Sequence, residues 1–210
     1  MKNIVIFGAS RGVGRCLTEQ ALAQGYRVTA AVRNPATVTI VHDRLRVIPC
    51  DVLNSDAVDR AIAGQDVVFC TLGANAKGAI TLYSAGAHNI VRGMQAHQVR
   101  RLIFLSNFGI LDEKAQDLRG AALLFLIKRF IRETLVDHRR ALEEIREHAP
   151  EWVVVRPLPL NNEPWSGKYR IAVNDLPAKG MRIARADVAD FMLRQATSDE
   201  YLSKVPAIAY

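Results

Sequence analysis

Residues 2–14 read KNIVIFGASRGVG, and this stretch decides the fold. The apolar run from Asn3 to Phe7 predicts a buried parallel strand. Gly8, Gly12 and Gly14 then predict a tight turn with a helix starting inside it. The chemistry of such a turn lies in its backbone. Glycines let the main chain approach a ligand closely, and the helix N-terminus offers unpaired N–H groups at a positive dipole end. A pyrophosphate is the natural occupant. The spacing is Gly-x-x-x-Gly-x-Gly rather than the dinucleotide fingerprint Gly-x-Gly-x-x-Gly. The strand before it and the helix after it favour nucleotide binding over a plain strand-to-helix turn.

Outward from the turn, strands and helices alternate. A helix over Arg15–Gln24 is expected to end at Gly25, a C-cap residue. Strands follow at Tyr26–Val32, Leu45–Ile48, Asp66–Leu72, Arg101–Leu105 and Trp152–Val155, the last stopped by Arg156-Pro157. Helices are expected at Ser55–Ala63, capped by Asn54 or Ser55, at about 80–97, and over a long region ending near His148. Short strand-like pieces lie at Tyr169–Val173 and Arg182–Ala184, a helix at Ala186–Gln195, and an apolar end at Val205–Tyr210. This order predicts an α/β fold, an open doubly wound parallel sheet of Rossmann type. Residues 158–210 read as a loop-rich elaboration covering the strand ends on the substrate side, within a single domain spanning 1–210.

Half of the 210 residues are hydrophobic, which suits one substantial core. No apolar run approaches the roughly 20 residues of a membrane span, and the core pattern starts at Asn3 without a leader. Cys16, Cys50 and Cys70 are far apart and form no Cys-x-x-Cys pair, so reduced cysteines and a cytoplasmic protein are expected. The net charge of +7 is spread over isolated pairs such as Arg100–Arg101, Lys128–Arg129 and Arg139–Arg140. Dispersal of this kind argues against nucleic-acid binding. The histidines show no metal-ligand spacing, so no metal is expected.

Strand ends carry the candidate site. Arg33 follows the second strand, where a carboxylate would hold a ribose 2′-OH and an arginine would accept a 2′-phosphate. No Asp or Glu lies between Gln20 and Val41, and Arg11 in the turn adds a second cation. NADP(H) is therefore preferred over NAD(H). Asp51 and Val52 end the third strand, either beside an adenine or as the cap of the next helix. Leu72 and Gly73, followed by Ala74 and Asn75, end the fourth strand close to a ribose or nicotinamide. Ser106 ends the fifth, either hydrogen-bonding a substrate carbonyl or capping a turn. Pro157, after the sixth, is expected against the nicotinamide.

Several segments together resemble the short-chain dehydrogenase/reductase superfamily in its atypical branch, close to biliverdin-IXβ reductase/flavin reductase and NmrA-like NAD(P)H-binding proteins. They are IFGASRGVG, AAVRNP, CDVLNSDAVDRAIAGQDVVFCTLG, AGAHNIVRGMQAHQVRRLIFLS, the Asp137-His138 pair, WVVVRP, PWSGKY and ARADVADFMLRQATSDEY. The resemblance implies that Gly8, Ser10, Arg11, Gly12, Val13, Arg33, Asp51, Val52, Leu72, Gly73, Ser106 and Pro157 line NADP(H), with Gly14 completing the turn. Two departures matter. None of Tyr26, Tyr83, Tyr169, Tyr201 or Tyr210 has a lysine four residues later, so the superfamily's Tyr-x-x-x-Lys is missing. Flavin reductases of this type have a histidine after the sixth strand, whereas the run here is Arg156-Pro157-Leu158-Pro159-Leu160. Flavin or quinone reduction fits these departures better than alcohol oxidation or tetrapyrrole reduction, because such acceptors take protons from water.

His138 falls on the apolar stripe Leu124, Ile127, Ile131, Leu135, Leu142, Ile145. It reads as a core histidine ahead of a catalytic one. Residues 120–132 (GAALLFLIKRFIR) carry more apolar residues than one face needs. A lid over the substrate, a homodimer or other protein contact, or an interfacial helix would account for them, in that order. Two functions follow: an NADP(H)-dependent reductase acting on a flavin or quinone, or an NmrA-like NADP(H) sensor reporting to a protein partner. A monomer and a homodimer both remain compatible with the sequence.

Overall fold

The computed structural model describes residues 2–73, 81–111, 131–173, 175–177 and 180–210. Ala74, Asn75, Leu124, Ile127 and nearly all of the apolar 120–132 stretch lie outside the described residues. The first strand, β1 (Asn3–Phe7), is central. It pairs in parallel with β2 (Arg27–Val32) on one side and with β4 (Val67–Cys70) on the other. Beyond β2 lies β3 (Leu45–Pro49), and beyond β4 come β5 (Arg101–Leu105) and β6 (Glu151–Pro157). Two further strands extend the sheet: β10 (Ala207–Ala209), parallel to β6, and β8 (Arg170–Ala172), antiparallel to β10. The strand order is thus β3-β2-β1-β4-β5-β6-β10-β8. A separate parallel pair joins β7 (Leu160–Asn161) to β9 (Ile183–Ala184).

Both faces of the sheet are covered, as the near-continuous apolar strands require. Period-two alternation sends Ile4 and Ile6 to one face and Val5 and Phe7 to the other. On the first face α1 (Gly12–Ala23) and α5 (Arg185–Arg194) pack together, burying Leu17, Ala21, Val188 and Met192. On the second lie α2 (Ser55–Ile62), α3 (Leu82–Ala96) and α4 (Arg132–His148), with Ile62, Ile90, Met94 and Ile145 fully buried. Strand order reverses between β1 and β4, so the crevice beyond their C-terminal ends is the place such folds reserve for ligands.

Two expectations need correction. The sixth strand does not stop at Val155 but runs through Arg156 and Pro157. Arg156 N–H donates to Pro206 O at 2.8 Å and Leu158 N–H to Ile208 O at 3.1 Å, so β10 pairs with this stretch. The missing N–H of Pro157 falls on the β5 side, beyond Ser106, whose N–H to Val155 O at 2.8 Å closes that ladder. The Val205–Tyr210 tail is accordingly a strand of the main sheet. The first helix starts inside the glycine turn, at Gly12, so the expected bounds Arg15–Gln24 shift toward the N-terminus.

Arg156 is fully buried. Its guanidinium donates to the carbonyl oxygens of Val205 (2.8 Å), Val173 (3.0 Å) and Asp175 (3.4 Å). A desolvated cation is costly unless its donors are satisfied, and here main-chain dipoles do much of that. No helix among the described residues is long and apolar enough to cross a membrane.

Candidate functional site

The turn after β1 is built by close approach. Gly8 adopts φ +85°, and a Cβ there would lie 2.7 Å from Thr71 O at the end of β4. A Cβ on Gly14 would collide with the carbonyl oxygen of Gly8 and sit 2.5 Å from Thr71 Oγ1. Thr71 holds the two strand ends together, its Oγ1 donating to Phe7 O at 2.9 Å and its N–H to the same oxygen at 2.8 Å. Gly14 therefore has a packing role under the turn and does not line the crevice.

Above this turn a cleft of about 560 Å³ opens at the C-terminal strand ends, within the range of about 300–1,000 Å³ usual for ligand sites. Of the expected residues, Gly8, Ser10, Arg11, Gly12, Val13, Arg33, Asp51, Val52, Leu72 and Gly73 line it. Its floor at α1 is an uncapped helix start. Arg11 is the N-cap residue without a side-chain cap, and the first turn carries no acidic residue. The first-turn N–H groups thus face the cleft with the positive end of the dipole. Among the described residues the charged lining side chains are Arg11, Arg33, Arg185 and Asp51, three cations to one anion. The lining also carries apolar side chains, Leu72, Leu82, Leu105 and Leu160 among them.

At the end of β3 the alternatives for Asp51 separate. The cap of α2 is Asn54, whose Oδ1 accepts from Ala57 N–H at 3.0 Å. Asp51 instead accepts from Leu53 N–H at 3.0 Å in a local turn while lining the cleft. Val52 is buried against Gly86, and its carbonyl accepts from Asn89 Nδ2 at 2.9 Å.

Ser106 and Pro157 are the expected lining residues that the cleft does not include. Both are buried, because β10 and the α3–α4 layer cover the ends of β5 and β6. Ser106 Oγ lies 3.2 Å from His138 Nδ1 in a buried hydrogen bond. The His138 ring stacks on Tyr83 with centroids 3.7 Å apart. Burial holds its pKa down at about 3, so the imidazole is neutral. The neighbouring Asp137 accepts from the N–H groups of Tyr83 (2.7 Å) and Ser84 (3.3 Å) and from Ser84 Oγ. The Asp137-His138 pair is thus one helix cap and one core hydrogen bond, set behind the cleft.

The sequence places residues 158–210 on the substrate side of the strand ends but does not single out which of them reach the cleft. Leu160, Asn162 and Arg185 line the cleft. Arg185 Nη1 donates to Asn162 Oδ1 at 2.7 Å. A Cβ on Gly12 would lie 3.7 Å from Arg185 Nε. Two residues on, Asp187 is buried and accepts from Ser166 N–H (2.9 Å), Ser166 Oγ (2.8 Å), Gly167 N–H (2.8 Å) and Tyr210 Oη (2.6 Å). Burial pushes its carboxyl up, but these donors outweigh it and hold the pKa below the ordinary value. A visible signal existed for Arg185: a cation opening a helix, where anions are favoured, marks a residue placed for something else.

The chain is 41% identical over 58 residues to an uncharacterized oxidoreductase of Schizosaccharomyces pombe, a match covering 28% of this chain and 20% of that protein. It is 25% identical over 216 residues to an uncharacterized chloroplastic protein of Arabidopsis thaliana, covering 99% of this chain and 76% of the relative. Among solved structures, a Rossmann-fold NAD(P)-binding family protein of Shigella flexneri superposes with a TM-score of 0.78 at 25% identity, covering 99% and 93% of the two chains. A short-chain dehydrogenase/reductase of Veillonella parvula in complex with NADP gives 0.81 at 20% identity, covering 100% and 94%. ChuY, an anaerobillin reductase of Escherichia coli O157:H7, gives 0.81 at 20%, covering 99% and 96%. The expected Rossmann fold is the fold these structures share with it. The glycine turn and the α5 start fall inside residues 8–199, which match the NAD(P)H-binding family, and to that family the chain belongs.

Proposed function

We propose that the protein is an NADP(H)-dependent oxidoreductase that delivers hydride to a flat, apolar acceptor such as a flavin or quinone. The observation that carries this reading is one cleft that combines the uncapped start of α1 and three arginines with four leucines. Gly8, Ser10, Gly12 and Val13 would hold the diphosphate through the turn and the first-turn amides of α1. Arg33, exposed beside the adenosine end, would take the 2′-phosphate. Leu72, Leu82, Leu105 and Leu160 would exclude water from the nicotinamide and seat the acceptor ring. NADPH supplies the hydride, two electrons and one proton, and water supplies the second proton that completes reduction of a flavin or quinone. The cleft needs no acidic side chain for this, which agrees with the neutral Ser106–His138 pair behind it. The NADP complex of the Veillonella protein and the reductase activity of ChuY support the choice of cofactor and of reaction class.

The same Ser106–His138 observation favours a second reading, an NmrA-like NADP(H) sensor that performs no reduction and acts through a protein partner. NADPH oxidation with FMN, FAD, riboflavin and a quinone panel separates the two. Saturable turnover with one acceptor class establishes the reductase. Tight NADPH binding without turnover on any of them refutes it in favour of the sensor.

A further inference from the structure

Arg185 is out of place electrostatically. It is the first residue of α5, and its side chain crosses to Gly12, the first residue of α1. A guanidinium is therefore set against the positive ends of two helices, each of which disfavours a cation. Among the described residues its hydrogen-bond partner is the neutral amide of Asn162, and it forms no salt bridge with a carboxylate. Asp187, the acid in the same first turn, is turned inward and satisfied by Ser166, Gly167 and Tyr210. Arg11 adds a further positive charge to the same cleft. Such an arrangement is stable when an anion lies among these groups. Nε lies beside the glycine turn, 3.7 Å from a Cβ placed on Gly12, while Nη1 is held by Asn162, and a guanidinium has donors enough to serve a ligand and the chain together.

We infer that Arg185 binds the diphosphate of the dinucleotide and, through Asn162, ties the segment 160–169 to the occupied cofactor site. The inference rests on the dinucleotide reading of the cleft. The segment is already fastened to α5 by Asp187 at Ser166 and Gly167, so Arg185–Asn162 is a second fastening, completed by cofactor. Leu160 in that segment lines the cleft. Cofactor binding therefore firms one wall of the acceptor site before the acceptor arrives.

The test uses the full chain, with NADPH and NADH affinities measured by fluorescence and hydrogen exchange followed at 160–169 with and without NADPH. Arg185→Met should weaken both cofactors by a similar factor, on the order of 10- to 100-fold for a lost charge-assisted hydrogen bond. Arg185→Lys should recover part of that loss. NADPH should slow exchange at 160–169 in the wild type, and this slowing should be absent in Arg185→Met and reduced in Asn162→Ala. A thermal melt of each variant separates these effects from misfolding. Wild-type affinity for both cofactors in Arg185→Met, a loss confined to NADPH, or undiminished slowing in Arg185→Met or Asn162→Ala would each overturn the inference. A wild type that binds neither cofactor would overturn the dinucleotide reading along with it.

Discussion

Asp137, on α4, caps a helix to which it does not belong. Its carboxylate accepts the N–H groups of Tyr83 and Ser84 in the first turn of α3, at 2.7 and 3.3 Å. The carboxylate is fully buried, so these bonds replace water for both partners. The cap fixes Tyr83, on which His138 stacks, and thereby sets the spacing between α3 and α4. Asp137→Ala should lower stability by about 1–3 kcal/mol, since it removes the cap and leaves buried N–H groups unpaired. Urea unfolding checks this, and a midpoint equal to wild type would refute it.

Arg33 and Arg185 occupy different parts of one cleft and should be separable by cofactor. Arg33→Ala should weaken NADPH by about 10- to 100-fold, the loss of a charge-assisted contact to the 2′-phosphate, while NADH changes little. Titration of both cofactors decides. Equal losses, or none, would remove Arg33 from the 2′-phosphate.

Gly14 should tolerate no side chain, because its Cβ position is taken by Gly8 O and Thr71 Oγ1. Gly14→Ala must push the turn away from β4, at a cost of about 1–3 kcal/mol or more for overpacking against backbone. It should also weaken NADPH and NADH alike by displacing the first turn of α1. Unchanged melting and unchanged binding together would contradict the close approach.

His138 gives acid sensitivity of a definite sign. Its folded pKa is depressed to about 3 by burial, against an ordinary value of 6.5. Between these values the unfolded chain binds a proton that the folded imidazole refuses. Stability is therefore complete above about pH 6.5 and falls as the pH drops toward 3, by about 1.4 kcal/mol per pH unit from this group. Comparing urea unfolding of the wild type and His138→Asn from pH 7 to pH 4.5 isolates the effect. The difference between them should shrink on acidification, and a constant difference would show that His138 is not held neutral.

The parts legible in the sequence are those that local physics decides. The run Asn3–Phe7, the glycine turn and α1 follow from patterning and backbone freedom, and Arg33 follows from its place after β2. Residue type alone allows Asn54 or Ser55 as the α2 cap, and Asn54 Oδ1 holds it. What could not be read depends on contacts between distant segments. Arg156-Pro157 stops a strand by local rules, yet β10 arrives from the far end of the chain to pair with it. Pro157 and Ser106 sit at strand ends, as expected, but the packing of β10, α3 and α4 determines that they are covered. Arg185 reaches the cleft only because α5 docks on α1, which no pattern within residues 184–201 specifies.

The buried guanidinium of Arg156 has an evolutionary consequence. The contacts described for it reach carbonyl oxygens at Val173, Asp175 and Val205, and every residue type presents a carbonyl. This tether is blind to side-chain identity. Val173 and Asp175 can be exchanged widely without loosening this attachment to the sheet, so the surface they present is open to diversification while the scaffold beneath stays constant.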